Sequence, residues 1–471
     1  MDGPIFTYIG KTVLAGGAAY RDAWDIKAPG VFFFYALASW LGQAPLSVHL
    51  LEALWQSGTA VTVGLLAARR YESGRAGLLG GLIYLGLLYS QEGGWLGQAD
   101  GLISLPLALA VWFALLAQER DALRNWFLAA FFTGIAAVFK MPLGLLGIAF
   151  LWMAWRTGPR SAGEPFRRLA ALAAGVAAPL LACLGYFHAL GATRDLINTV
   201  FVIGPRYASL VWRHPDLRFL VSALLDPRHI PLYIAGVLAG ASARNPAPGN
   251  ERQRACLVLV AAWAATSLIV LVWHGAFLGY QFQELFAPLA VLSGGAVEAF
   301  AHNDPPRPLA RKVLIAIAGV GAVTVATCVI LNVTESLETV RAGNETEELA
   351  SFIRARTTPK DSIYVWGRHA ALYLSAGRRP ASKFLNSVVL TEPWRELGLR
   401  PEFLQELQRD PPAYIVVESE GASLSSSSNL PQMRQLDFER EAEKFTALRQ
   451  LLKQSYLEER RTKDWVLYRK K

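Results

Sequence analysis

Residues 255–273 read ACLVLVAAWAATSLIVLVW and contain no charged side chain. A bilayer core about 30 Å thick is crossed by about 20 apolar residues of helix. The stretch meets that length, so the chain is expected to span a membrane. The same test applied to the rest of the chain gives about ten segments: 46–69, 76–91, 101–118, 125–140, 141–156, 168–190, 230–243, 255–273, 281–300 and 313–333. The shorter ones are expected to tilt or to extend into their flanks.

Composition agrees. Of 471 residues, 53% are hydrophobic and 18% charged, against about 25% charged in a typical soluble domain. Disorder and coiled coil are excluded. Three cysteines exclude a disulfide scaffold. Cys183, Cys256 and Cys328 all fall in apolar runs and read as small core residues. A net charge of +9 invites a nucleic-acid reading, but the positive residues sit in short loops between apolar runs, as membrane topology demands.

Those loops alternate. One set holds Arg69, Arg70 and Arg75; Arg120 and Arg124; Arg156, Arg160, Arg167 and Arg168; Arg244, Arg252 and Arg254; and Arg307, Arg311 and Lys312. The positive-inside rule makes this set cytoplasmic. The other set, 1–45, 91–100, 191–229, 274–281 and the tail from about 334, then faces the periplasm or cell exterior. Residues 1–27 show no basic region followed by an apolar stretch, so no signal peptide is read there. The run 28–41 has the length of an interfacial or re-entrant helix. An upstream transmembrane helix is therefore expected before Met1.

Three parts follow. Residues 1–45 form an outer loop with amphipathic or interfacial helices. Residues 46–333 form the bundle, with 191–229 as an outer loop. Residues 334–471 form a small extracytoplasmic α/β domain. The expected class is mainly α, a polytopic helical bundle with this domain appended. Its helices are read at 345–356, 401–409 and 438–454, and its strands at 362–366, 414–418 and 465–468. The serine run 423–428 reads as a loop within it.

Ionisable residues at a membrane edge are candidate functional groups. The richest cluster is DGPIFTYIGKTVLAGGAAYRDAWDIKAPG, residues 2–30, with Asp2, Tyr8, Lys11, Tyr20, Arg21, Asp22, Asp25 and Lys27. Ile5, Phe6, Ile9, Val13 and Leu14 share one face of a short helix, which suits the outer membrane surface. The bland alternative is a set of solvated interface charges. Asp100 opens a span after Trp95 and Gln98, either as a helix cap or as a hydrogen-bonding group for sugar or acceptor. Tyr280, Gln281, Gln283 and Glu284 suit sugar hydroxyls or act as interhelical polar contacts. Arg206 and Arg213, in IGPRYASLVWRHPDL, are candidate phosphate ligands or solvated surface groups. His274 reads as an interface residue. His49 and Glu52 line a cavity or pair at i, i+3. Glu298 is expected to snorkel. No zinc-finger spacing, H-E-x-x-H, P-loop or G-x-S-x-G occurs. The Asn332 and Asn344 sequons are read as chance.

The order Asp2, Tyr8, then Gly17, Tyr20, Asp22, Asp25, Lys27 and Pro29 resembles the first outer loop of the polytopic GT-C glycosyltransferases. In these enzymes an Asp or Asp-Glu pair precedes a G-x-x-Y-x-D-x-x-D-x-K-x-P stretch. The resemblance continues at Gln98–Asp100, at 279–288 (GYQFQELFAP) and at 361–384. It points to the bacterial branch containing protein O-mannosyltransferases, lipid A aminoarabinose transferases and lipopolysaccharide-core galacturonosyltransferases. The chain departs from the pattern at Gly3, where Glu is usual, and the helix that precedes the motif in these enzymes is the one expected upstream of Met1.

The resemblance implies an inner-membrane enzyme that moves a sugar from a polyprenyl-phosphate donor to a hydroxyl of an envelope acceptor. Lipid A, core oligosaccharide and other glycans rank before proteins as acceptor. It implies inversion, Asp2 as general base and Lys27 on the phosphate, with Arg206 and Arg213 as further candidates. Tyr8, Tyr20, Asp22, Asp25, Gln98, Asp100, Tyr280, Gln283 and Glu284 are the implied substrate contacts. No cofactor is required, because Lys and Arg can neutralise the leaving phosphate; a divalent cation has no ligand pattern to support it. Two other classes stay open. A transporter or lipid flippase would be expected to show broken helices and midplane charges. A noncatalytic envelope-assembly protein would use the tail as its partner-binding module.

Overall fold

A computed structural model describes residues 2–42, 44–91, 96–156, 163–213, 230–243, 251–275, 277–301, 319–321, 323–331, 345–419 and 437–471, and isolated positions at 221, 225, 316 and 334. Two helices come first, α1 (Gly3–Leu14) and α2 (Pro29–Leu41). Pro4 and Pro29 lie in their first turns, where a missing N–H costs nothing. The bundle follows as α3 (Leu46–Tyr71), α4 (Gly74–Tyr89), α5 (Ala99–Leu102), α6 (Ser104–Arg120), α7 (Leu123–Phe139), α8 (Leu146–Arg156) and α9 (Glu164–Ala189). Then come α10 (Thr193–Ile197), a π-helical turn (Asn198–Ile203), α11 (Gly204–Arg213), α12 (Ile230–Ala243), α13 (Glu251–His274) and α14 (Phe286–Ala301).

Among the described residues, four helical stretches are long and apolar enough to cross a membrane: Leu46–Tyr71, Ala99–Arg120, Glu164–Ala189 and Glu251–His274. The other expected spans inside the described residues are shorter apolar helices. The span expected at 313–333 is described only in part.

The helices approach closely where small residues meet, the usual device of membrane bundles. A Cβ at Gly175 of α9 would collide with the Phe127 carbonyl of α7. Arg168, 1% exposed, ties α9 to the α6–α7 turn through Asp121, with Nε to Oδ1 at 2.8 Å.

Three expectations are corrected. The segment 141–156 does not begin as α-helix: Met141–Leu145 is a 3-10 turn after Lys140, whose extended backbone breaks the ladder. The segment 281–300 starts late, because Gly279–Leu285 is also 3-10. The apolar face of α1 does not lie on the membrane surface. Ile5, Phe6 and Ile9 are buried against α2, with Phe6 edge-on to Tyr35 at 5.5 Å. Gly10 permits this contact, because a Cβ there would strike the Tyr35 backbone.

The C-terminal domain comprises α15 (Glu345–Arg356), β1 (Ser362–Trp366), α16 (Ala371–Ala376), β2 (Arg379–Pro380), α17 (Arg400–Arg409), β3 (Tyr414–Glu418), α18 (Phe438–Lys444), α19 (Thr446–Ser455), β4 (Tyr456–Arg461) and β5 (Trp465–Lys470). Its sheet has the order β2-β1-β3-β5-β4. β2, β1 and β3 pair parallel; β5 pairs antiparallel with β3 and β4. The helix expected over 438–454 is broken at Phe445, and β4 was not anticipated. The serine run 423–428 lies outside the described residues.

This domain sits on the first loop. The Trp24 amide donates to the Lys383 carbonyl at 2.8 Å, and Trp24 forms a parallel bridge with Phe384. The Trp24 indole packs on Phe384 and donates to Thr199 Oγ1 at 3.1 Å. The loop between α1 and α2 is thus held by bundle and domain together.

Candidate functional site

The loop carrying Asp25 and Lys27 is shaped by Tyr20. Tyr20 takes a left-handed φ of 71°, which a non-glycine residue adopts only when its surroundings enforce it. Its amide donates to the Ala23 carbonyl at 2.7 Å, and its ring lies between Phe32 and Phe187. Its hydroxyl donates to the Lys27 carbonyl at 2.8 Å. Fully buried, Tyr20 is a scaffold under the loop and not the substrate contact that was expected.

Asp25 is buried beside it, and its Oδ1 accepts the Lys27 amide at 3.0 Å. Burial first, then the nearby charge of Asp2, pushes its carboxyl up to about 6. Lys27 extends from this loop to the Tyr280 hydroxyl, 3.2 Å from Nζ, and lies 4.7 Å from that ring's centre. Burial pushes its ammonium down. Tyr280 and the carboxylates of Asp100, Asp2 and Asp25 outweigh this, and the result lies above the ordinary lysine range. Burial also lifts the Tyr280 phenol to about 12.

Asp2, at the start of α1, accepts a hydrogen bond from Gln98 Nε2 at 3.3 Å. It is near enough to Lys27, Asp25 and Tyr280 to act on each electrostatically. The first acid of the chain and its loop lysine therefore share one neighbourhood.

Behind them is a buried ion cluster. Lys140 Nζ donates to Asp100 Oδ1 at 2.6 Å and to Glu284 Oε1. Asp100 and Glu284 are 2% and 1% exposed, so one ammonium holds two desolvated carboxylates. The 3-10 segment carrying Glu284 also presses Gln283 against α5. A Cβ at Gly101 would come 2.6 Å from Gln283 Oε1, so any larger residue there would push the Gln283 amide aside. Nearby, Glu52 is buried and accepts the Gly97 amide at 3.0 Å, whereas His49 is exposed.

Other expected contacts are placed elsewhere. Tyr8 packs against Tyr373 of the C-terminal domain, ring centres 6.0 Å apart, because α1 turns that face outward. Asp22 pairs with Arg21 and accepts the Ala18 amide at 2.7 Å, closing the turn over residues 18–22. The adjacent Arg21 pulls its carboxyl below the usual range. Arg206 is exposed on α11. Trp95 and the side chains of Arg213 and Glu298 lie outside the described residues.

Two residues were not singled out in the sequence. Lys140 looked like the end of a span. Tyr207 lies beside the more conspicuous Arg206, but one helical step turns it inward. Among the described residues, no three His, Cys, Asp or Glu side chains form a metal-ligand set.

Residues 26–195 match the family described as dolichyl-phosphate-mannose-protein mannosyltransferase. Residues 343–432 match the C-terminal domain of the putative competence-induced protein Ccs4. No curated protein sequence matches. Among solved structures, ArnT from Cupriavidus metallidurans bound to undecaprenyl phosphate superposes with a TM-score of 0.59 at 16% identity, covering 99% of this chain and 93% of that one. The chain therefore has the ArnT-like GT-C fold, a multi-pass membrane bundle with a small strand-containing C-terminal domain, and over residues 26–195 it matches the dolichyl-phosphate-mannose-protein mannosyltransferase family.

Proposed function

We propose that the protein is a membrane glycosyltransferase that moves a sugar from a polyprenyl-phosphate donor to a hydroxyl of an envelope glycolipid, glycan or protein. It would work at the extracytoplasmic face of the bacterial inner membrane. The observation that carries this reading is the Lys27–Tyr280 contact beside Asp2. Among the described residues Lys27 has no carboxylate within ion-pair distance, whereas Lys140 has two. Lys27 is thus the ammonium left to meet an anion, and Tyr280 adds a neutral hydroxyl donor. Together they suit a phosphate that gains charge as the glycosidic bond breaks.

The step is a displacement with inversion. The acceptor oxygen bonds to the anomeric carbon as the bond from that carbon to phosphate oxygen breaks, and polyprenyl phosphate leaves with the electron pair. The hydroxyl proton passes to the Asp2 carboxylate, a contribution of about 10²–10⁴-fold in rate. Gln98 orients that carboxylate through its 3.3 Å hydrogen bond. Asp100 and Glu284, which share the Lys140 ammonium, form a fixed buried base behind these groups.

The test is to incubate purified protein with a labelled polyprenyl-phosphate sugar and an envelope-lipid extract. Transfer with release of free polyprenyl phosphate is expected, and loss of transfer but retained donor binding in Asp2→Asn. Undiminished turnover in that variant would sink the base assignment. Movement of intact donor across a vesicle without cleavage would instead favour a flippase.

A further inference from the structure

Helix α11 lies across the site as a strap fixed at both ends. Before it, Thr199 in the π-helical turn accepts from the Trp24 indole. At its far end, the Trp212 indole donates to the Trp273 carbonyl at 3.0 Å, and its ring packs on Gly275 and Phe277. These anchors lie on the two segments that deliver Lys27 and Tyr280. Tyr207 is in the middle of the strap. Its ring stacks on Trp394 of the C-terminal domain, with centres 4.3 Å apart and planes within 17°. Arg206 and Ser209 face outward, while Tyr207 and Val211, one turn apart, face in.

Tyr207, Lys27 and Tyr280 are each only partly buried, while the Asp25, Asp100 and Glu284 carboxylates behind them are sealed. Asp2 is likewise only partly buried. Tyr207 lies within electrostatic reach of Tyr280, Lys27, Asp2 and Asp25, and desolvation pushes its phenol up, so it stays a proton-bearing donor. A phosphate held by Lys27 and Tyr280 would share its neighbourhood with this third hydroxyl.

We propose that Tyr207 is a further hydrogen-bond donor to the donor phosphate, and that Trp394 is the positioning residue through which the C-terminal domain holds it there. The inference rests on the phosphate cradle assigned above. It gives the C-terminal domain a defined part in binding: a stacked pair links it to α11 of the bundle. Domain docking and donor affinity then become one equilibrium, because losing the stack frees the strap to carry Tyr207 away from the phosphate.

The test measures binding of undecaprenyl phosphate to the detergent-purified full chain. Tyr207→Phe keeps the stack and removes only the hydroxyl; about tenfold weaker binding is expected, the scale of one hydrogen bond to a charged group. Trp394→Ala should weaken binding as much, Trp394→Phe should restore it, and the double variant Tyr207→Phe/Trp394→Ala should be no weaker than either alone. Lys27→Met serves as the reference. If Lys27→Met loses binding but Tyr207→Phe matches wild type, this inference fails and the cradle stands. If Trp394→Ala binds like wild type, the coupling is overturned. If wild type and Lys27→Met bind alike, both the cradle and this inference fall.

Discussion

Lys27 Nζ lies 3.2 Å from the Tyr280 hydroxyl although 253 residues separate them in sequence. The contact joins the loop after α1 to the 3-10 turn before α14. It pairs a cation with a neutral phenol, and among the described residues no carboxylate comes within ion-pair distance of that ammonium. The second lysine of the region, Lys140, is neutralised twice over. The two lysines therefore differ in their partners: Lys140 is locked by two carboxylates in direct contact, whereas Lys27 touches only a phenol and keeps donor capacity for an anion.

Lys27→Met removes that charge and keeps most of the stem's apolar contact. Binding of undecaprenyl phosphate should weaken by about 10- to 100-fold, the worth of one charge-assisted hydrogen bond. Lys27→Arg should recover part of it. Titration of purified protein checks this, and equal affinity in Lys27→Met would remove the lysine from the site.

Lys140→Met should behave as a folding variant. It leaves Asp100 and Glu284 buried without their shared cation, and breaking such a cluster from one side costs about 3–5 kcal/mol. Glu284→Gln should be much milder, because it leaves the Asp100–Lys140 pair, 2.6 Å apart, as a neutral unit. Thermal midpoints of the two variants in detergent give the comparison. A larger loss for Glu284→Gln would mean that the cluster is wrongly apportioned.

The membrane spans were legible because length and apolarity are local properties. The starts of 141–156 and 281–300 were not, since the 3-10 turns there go with the ion pairs of Lys140 to Asp100 and Glu284 and with the side chain of Gln281 accepting the Leu278 amide, and not with hydropathy. Strand β4, YLEERR, has the charged composition of a protected sheet edge and lacks the alternation by which β5 can be read. In the site, Asp2, Asp25, Lys27 and Tyr280 stood out as polar groups at membrane edges. Tyr20 carried the same signal, yet its hydroxyl points at its own loop, a direction that only the backbone φ reveals. Tyr207 gave no signal, because an aromatic residue on the inner face of an amphipathic helix looks like packing until Trp394 is seen stacked on it.

Asp25 should leave a pH signature on stability. Its carboxyl is raised to about 6 in the fold, against about 3.9 unfolded. The folded state therefore holds a proton that the unfolded chain has lost between those values. The stability linked to it is complete below about pH 4 and is lost as pH rises through 6, amounting to about 2–3 kcal/mol. Asp25→Asn keeps the acceptor for the Lys27 amide but has no proton to lose. It should unfold at a higher temperature than wild type at pH 7 and show no gain at pH 4. An offset independent of pH would show that Asp25 does not titrate in this window.

Tyr20→Phe tests whether the loop is set from beneath. The substitution keeps the ring between Phe32 and Phe187 and removes the 2.8 Å hydrogen bond to the Lys27 carbonyl. About 1 kcal/mol of stability should be lost. Because that carbonyl belongs to the residue that reaches Tyr280, donor affinity should fall too, by several-fold at most, without a change in the pH at which Asp25 titrates. Tyr20→Gly would relieve the left-handed backbone but open a cavity between two phenylalanines, a loss of about 3–5 kcal/mol for an aromatic ring that far exceeds the strain relieved. The phenylalanine variant is therefore the informative one. If its donor affinity equals that of wild type while its stability falls, Tyr20 supports the fold alone and Lys27 is positioned by Asp25.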